Sequence, residues 1–314
     1  LPELINLKDV DQMFKEFFSF STTKTTSAEN LAKELGDRAQ ILKHILLEEV
    51  KLENKELVEI YKIFNTLMKD LTTDRFANMY SQTITYGLFF AAIKDTKNEL
   101  SRNNAYTFIP ATIPVLSKLF YFLTGPNLPK SIGFIVDDLI QVLRKTTITS
   151  ILYQFKKSHW TEDPLIHFYE TFLREFDPEI RDKRGVFYTP TPVVSYIMKS
   201  INSILKKTFQ KNEGLAEKSV KILDPAAGSM TFLDTAIHLC YNECKIRGKL
   251  GIFQDIVTNH ILKDFYAFEI LMAPYTIGHF KIFTTFENLG IKQDKRINLF
   301  LTNALEIEEI SESS

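Results

Sequence analysis

Apolar residues in the first half of the chain recur at steps of three and four, the spacing that lays one face of an α-helix against a core. After Asn54, a good N-cap residue, Leu57, Ile60, Tyr61, Phe64, Leu67, Met68 and Leu71 follow one such face. Upstream, Thr26 and Glu29 have the spacing of a capping box and lead into Leu31, Leu35, Leu42, Ile45 and Leu46. The pattern predicts a third helix opening at Asp74 and carrying Phe76, Tyr80, Thr83, Ile84 and Leu88, and a fourth opening at Ser131 after the breaker GPNLP. Strand signals are nearly absent before Phe176, so residues 1–176 are expected to form an all-α unit.

After Asp177 and Pro178 the pattern changes. Three short β-rich runs follow, Val220 to Leu223, Phe265 to Phe268 and Ile297 to Leu301, each leading into a helix or turn signal. Buried strands alternating with helices predict a parallel, doubly wound α/β sheet over residues 177–314. The helix between the first two strands carries Leu233, Ile237, Cys240 and Cys244 on one face, so the cysteines read as reduced core thiols rather than metal ligands.

Bulk properties narrow the choice of function. A chain of 314 residues, 45% of them hydrophobic, is long and apolar enough for two cores. Its net charge of −1 gives no global basic footprint, so any contact with DNA must be local or supplied by other segments. No apolar run reaches spanning length and the N-terminus has no signal-peptide pattern, which points to a cytoplasmic protein without a membrane partner. The opening at Leu1 and the polar, acidic ending EIEEISESS suggest a fragment of something longer. No phosphate-cradling GxxxxGK[ST], CxxC pair or HExxH occurs, the histidines are scattered, and no metal site is expected. Aromatic runs such as FYETF and KLFYFLTG lie at helical spacing without interleaved Lys and Arg, which favours core packing over base stacking.

The chemistry concentrates in LDPAAGSMTFL, residues 223–233, where a strand runs through a small-residue turn into a helix. Such a turn lets a ligand approach backbone amides at the helix N-terminus. The second strand ends in Glu269, and a carboxylate at that edge can accept from both hydroxyls of a ribose. Upstream, Thr191 and Pro192 read as the N-cap and first residue of a helix carrying Val194, Ile197, Met198, Ile201 and Leu205. The preceding GVFYTP combines a glycine, two aromatics and a hydroxyl, the makings of a lid on a ligand.

With these blocks in this order, the chain resembles the amino-adenine DNA methyltransferases of gamma motif order, in particular those of single-polypeptide type I-like restriction-modification enzymes. The resemblance runs from about Phe76 to Asn303. It rests on FANMYSQTITYGLF, DPLIHFYETFLREFDPEIRDKRGVFYTPTPVV, LDPAAGSMTFL, YAFEILMAPYTIGHFKI and LTNALE. It implies a helical spacer followed by the first half of a Rossmann-like sheet that binds S-adenosylmethionine. Phe187, Tyr188 and Thr189 match the block that closes over that cofactor. Asp224, Ala226 and Gly228 match its turn, with the acid near the methionine amino group. Glu269 matches the ribose acid, Ile270 would pack on the adenine ring, and Asn303 stands where many relatives place an acid near the adenine amino group. Double-stranded DNA and the other segments of a restriction-modification enzyme are the implied partners.

Two departures set the expectations to be tested. Met230 replaces the second glycine of DPAxGxGxF, and its side chain is expected to crowd the cofactor and to forbid a glycine-only backbone conformation. The family's catalytic tetrapeptide, Asn or Asp followed by Pro-Pro and an aromatic, is absent, since the chain contains no Pro-Pro. With three strands only, the sheet should leave a long apolar edge unpaired. Two other readings stay open at this level: a methyltransferase acting on cytosine N4, RNA or protein, and a non-catalytic helical coupler.

Overall fold

The computed structural model describes residues 27–67, 71–122, 128–151, 153, 164–177, 189–293 and 295–305. Thr26, Met68, most of the GPNLP breaker, Phe187, Tyr188 and the acidic C-terminal run lie outside the described residues.

The helical pattern holds. Helix α1 (Ala28–Lys51) buries Leu31, Leu35, Leu42 and Leu46, and α2 (Lys55–Leu67) buries Leu57 and Phe64. Asn54 caps α2 as its chemistry suggests, its side-chain oxygen accepting from the Leu57 amide at 3.3 Å. Other helix starts differ from the sequence reading. Ser27 caps α1, accepting from the Asn30 amide at 3.1 Å, so the cap is one residue later than Thr26 and Glu29 indicate. Helix α3 (Thr73–Lys94) is capped by Thr72, whose hydroxyl accepts from the Arg75 amide, rather than opening at Asp74.

Helices α4 (Pro114–Phe122), α5 (Lys130–Lys145) and α6 (Pro164–Phe176) complete the helical part; α5 opens one residue before Ser131. The centre is α3, buried on every side from Phe76 to Ala91, with α1 packed against α3, α5 and α6. Aromatic rings fill the joints: Phe89 stacks on Phe168 with centroids 4.0 Å apart, and Tyr86 meets Tyr169 edge-on at 5.6 Å.

The second part begins with α7 (Thr191–Lys207), where Pro190 occupies the cap and Thr191 is the first helical residue instead of the cap. Val194 and Met198 are buried, whereas Ile197 and Ile201, expected on the same inward face, are exposed. Strand β1 (Ile222–Asp224), helix α8 (Thr231–Ile246), strand β2 (Phe265–Glu269), helix α9 (Met272–Asn288) and strand β3 (Asn298–Leu301) follow. The strands form one parallel sheet in the order β1-β2-β3. Val220 lies ahead of β1, which has three residues, so its free edge is short rather than long. Cys240 and Cys244 are buried on α8 beside Leu233 and Ile237.

The two parts meet through α9. The Phe280 ring on α9 stacks on Phe90 of α3 at 3.8 Å, and Lys94 pairs with Glu287 across the same seam. Burial pushes His279 on α9 down to about 3, so it sits in this core as a neutral ring, against Tyr275. Among the described residues no helix is long and apolar enough to cross a membrane.

Candidate functional site

Parallel strands point their carboxyl ends the same way, and the loops that follow β1 and β2 converge there. The turn from Asp224 to Met230 is stapled to the end of β2 by backbone bonds: the Ala227 amide donates to the Phe268 carbonyl at 2.9 Å. Asp224 ends β1. One of its carboxylate oxygens accepts from the Ala226 amide at 3.2 Å, while the other, Oδ2, is buried without a hydrogen-bond partner. Burial raises its carboxyl above the usual value, and the Ala226 amide offsets part of that rise.

Glu269 ends β2 and is turned inward. Its Oε2 accepts from the Gly228 amide at 2.9 Å and its Oε1 from the Leu271 amide at 2.7 Å. Burial raises this carboxyl too; the Leu271, Gly228 and Ile270 amides pull it down, and the charge of Asp224 adds to the rise. Each oxygen retains a further lone pair, so hydroxyl donors can share Glu269 with the amides. Two carboxylates thus lie near one another with amides but, among the described residues, no cation paired to either, an arrangement that favours a ligand bearing positive charge and hydroxyl donors.

Gly228 has φ of +53°, and a Cβ built on it would meet nothing within 4 Å. The turn therefore opens outward at this residue. The following Met230 corrects the expectation drawn from its side chain. Its backbone adopts the left-handed conformation itself, with φ of 66° and ψ of 25°, as it caps α8. Its side chain is fully buried and runs under the turn toward Gly278 of α9, away from the open side at Gly228. The thioether is core.

The remaining predicted residues fall around this centre. Ile270 is exposed beside Glu269, and Ala226 is exposed on the turn. Asn303 follows β3 and accepts from the Leu305 amide at 3.1 Å, while the neighbouring Thr302 amide donates to the Glu269 carbonyl at 2.9 Å. Thr189 is exposed just ahead of the Pro190 cap, and no hydrogen bond joins it to the turn among the described residues. Phe187 and Tyr188 lie outside the described residues.

Two groups escaped the sequence reading. Tyr169 on α6 is buried, and its hydroxyl is raised first by burial and then by the charge of Glu269, which brings the helical part to the edge of the site. Lys281 on α9 lies 3.6 Å from Asp234 in the first turn of α8, and Thr285 donates to the same carboxylate at 2.7 Å. These bonds hold the N-terminus of α8 against α9. Asp234 and Lys281 stand on separate helices, and nothing in their local pattern pairs them.

Comparison with known proteins finds similarity to one family model and to several solved structures. Residues 161–271, from α6 through the turn to Ile270 and Leu271, match the family model of the N-6 DNA methylases. No curated protein matches the chain significantly. Among solved structures, the chain is similar to the ATP-dependent Type ISP restriction-modification enzyme LlaBIII bound to DNA, with 20% identity, a TM-score of 0.62, and coverage of 96% of this chain and 20% of that one. It is similar as well to a nuclease-deletion mutant of the Type ISP enzyme LlaGI in complex with a DNA substrate mimic, at 18% identity and a TM-score of 0.56 over 95% of this chain and 23% of that one. A DrdV–DNA complex matches at 20% identity and a TM-score of 0.55, over 95% of this chain and 28% of the other. The chain thus spans a fifth to just over a quarter of these proteins' lengths. The resemblance read from the sequence is borne out: residues 161–271 match the N-6 DNA methylase model, and the fold recurs in Type ISP restriction-modification enzymes.

Proposed function

We propose that this chain is the helical spacer, residues 1–176, and the cofactor-binding part, residues 177–314, of an adenine-N6 DNA methyltransferase in a restriction-modification enzyme. The observation that carries the reading is the unpartnered, buried Asp224 Oδ2 at the carboxyl end of β1, beside the open space over Gly228. A buried carboxylate oxygen without a donor costs stability, and a cationic ligand would relieve that cost. S-adenosylmethionine fits: it brings an ammonium for Asp224 and ribose hydroxyls for Glu269. When bound, it supplies an electrophilic methyl group on a sulfonium. In the whole enzyme the recipient would be the exocyclic nitrogen of an adenine flipped out of duplex DNA.

The residues of this chain bind and orient. Ile270 offers an apolar surface for the adenine of the cofactor, and Asn303 an amide for its edge. Thr189, with Phe187 and Tyr188 of the same block, would close over the methionine end. The Asp234 to Lys281 tie keeps the first turn of α8 fixed, so the turn is organised before the ligand arrives. The tetrapeptide that would hold the flipped base is not in this sequence, so the chain alone is expected to bind the cofactor without transferring the methyl group. The placement of Met230 in the core supports cofactor binding over a purely structural coupler, because the side chain that was to block the site points elsewhere.

Calorimetric titration with S-adenosylmethionine and S-adenosylhomocysteine tests the reading. Micromolar binding of both, lost in Glu269→Ala and in Asp224→Asn, is the expected result. A folded chain that binds neither would overturn it.

A further inference from the structure

The seam between the two parts frames more than stacked rings. Where the end of α3 faces the last turns of α9, a cavity of about 740 Å³ opens, walled by residues 107–112 on one side and by the loop between α9 and β3 on the other. That loop leads into β3, so the cavity lies toward the amino ends of the parallel strands, away from the turn at Gly228. Small-molecule sites favour such junctions and span roughly 300–1,000 Å³.

Its charges do not cancel. Lys94 pairs with Glu287 across the seam, which leaves Arg296. The guanidinium donates to the Leu299 carbonyl at 2.8 Å and lies 5.4 Å from the centre of the Phe300 ring, but it meets no carboxylate among the described residues. Its field reaches inward: after burial, the charge of Arg296 is what holds His279 down. The loop itself, IKQDKR, carries three cations against one acid. An anion is the ligand this wall favours.

Gln293 adds a demand that charge alone does not meet. Its Nε2 donates to the Lys295 carbonyl at 3.0 Å, and since a carbonyl can only accept, the amide orientation is fixed. The Oε1 at its other corner is buried and has no partner among the described residues. A buried acceptor without a donor costs stability, which a ligand N–H would recover. Phe108 and Phe283, half-buried in the walls, offer apolar surface to a flat ring.

We propose that this cavity binds a nucleoside monophosphate, with the phosphate on Arg296, the base against Phe108 and Phe283, and a base N–H on Gln293 Oε1. Guanidinium suits phosphate because its fork of donors matches the phosphate oxygens. Simpler anions answer less of the wall. Inorganic phosphate would meet Arg296 and leave the rings and Oε1 unchanged, and a fatty carboxylate would cover the rings but bring Oε1 no donor. Because the walls come from both parts, a bound ligand would tie the helical part to the sheet. The proposal does not rest on the methyltransferase reading.

Calorimetric titration of this chain with AMP, GMP, CMP and UMP in turn, with and without saturating S-adenosylhomocysteine, tests the site. At least one nucleotide should bind saturably in both conditions. Its affinity should fall at least about tenfold in Arg296→Gln and at least about threefold in Gln293→Met, and its nucleoside or inorganic phosphate alone should bind at least about tenfold less tightly. Circular dichroism checks that the variants fold, and amide exchange in the parent should slow at 107–112 and 293–296 on binding. No saturable binding by the folded chain would overturn the proposal, as would an affinity unchanged in Arg296→Gln. Loss of nucleotide binding in S-adenosylhomocysteine would assign it to the turn at Gly228 and overturn it too. So would a single-stranded oligonucleotide that binds through Arg296 where no free nucleotide does, which would assign the wall to a nucleic-acid strand.

Discussion

The Cγ of Met230 stands 2.6 Å from the position a Cβ on Gly278 would take, so the methionine of the turn is accommodated by a glycine on the neighbouring helix. The turn has a side chain where its family pattern has hydrogen, and α9 has hydrogen where that side chain arrives. The left-handed backbone at Met230 costs about 1–2 kcal/mol for a residue with a Cβ. Burial of the whole side chain offsets it.

Gly278→Ala should therefore destabilise the chain by about 1–3 kcal/mol, because the new methyl meets Met230 and the Leu299 side chain inside a packed core. Met230→Ala should cost stability alone and yet relieve part of the Gly278→Ala penalty. A double-mutant cycle from urea unfolding reads the coupling; strict additivity would refute the pairing. Met230→Gly, which restores the family pattern, is expected to lower stability by about 2 kcal/mol or more, since the cavity outweighs the relieved backbone.

Acidity offers a second check. The carboxyls of Asp224 and Glu269 are both raised by burial, so the folded chain keeps their protons at pH values where the unfolded chain has released them. Their contribution to stability is present in full below the ordinary carboxylate range and is lost as pH rises through the raised values. Asp224→Asn removes one of these groups. Thermal unfolding should show the variant gaining on the parent as pH rises through and above the ordinary carboxylate range, while its cofactor binding is lost. A constant difference across that range would show that Asp224 is not held protonated by its burial.

Lys281→Met leaves Asp234 with Thr285 and, at 3.9 Å, the His238 ring, but without the ammonium of Lys281. Since Asp234 keeps some contact with solvent, a loss of about 1–3 kcal/mol is expected in urea titrations. The same variant should weaken cofactor binding, because the first turn of α8 is no longer tied to α9.

At the seam between the two parts, Phe280→Ala removes a ring stacked on Phe90 and should cost about 3–5 kcal/mol. The helical part and the sheet part share one continuous core, so the parent is expected to melt in a single transition. The variant should separate into two, followed by circular dichroism.

How much of this was legible in the sequence depends on range. The helices were, because Leu31 to Leu46 and Leu57 to Phe64 repeat a period that only one conformation satisfies. Their caps were less so: Thr26 and Ser27 are adjacent hydroxyl residues, and either can accept from an amide three residues on. Strands β2 and β3 fell where the β-rich runs stand, while Val220 missed β1 because an apolar β-branched residue suits a buried loop as well. The turn was legible as a motif, since Asp224, Gly228 and Glu269 come from the order of two strands. What Met230 does there was not, because the space it fills is made by Gly278 on another helix. The contribution of Tyr169 near Glu269 depends likewise on how the helical part docks, which no local pattern encodes.

The most direct test of the central claim is amide hydrogen exchange with and without saturating S-adenosylmethionine. The account predicts slower exchange concentrated at 224–230 and 269–271, where Gly228 and Leu271 donate to Glu269. Unchanged exchange over both segments in a chain that is folded would contradict it.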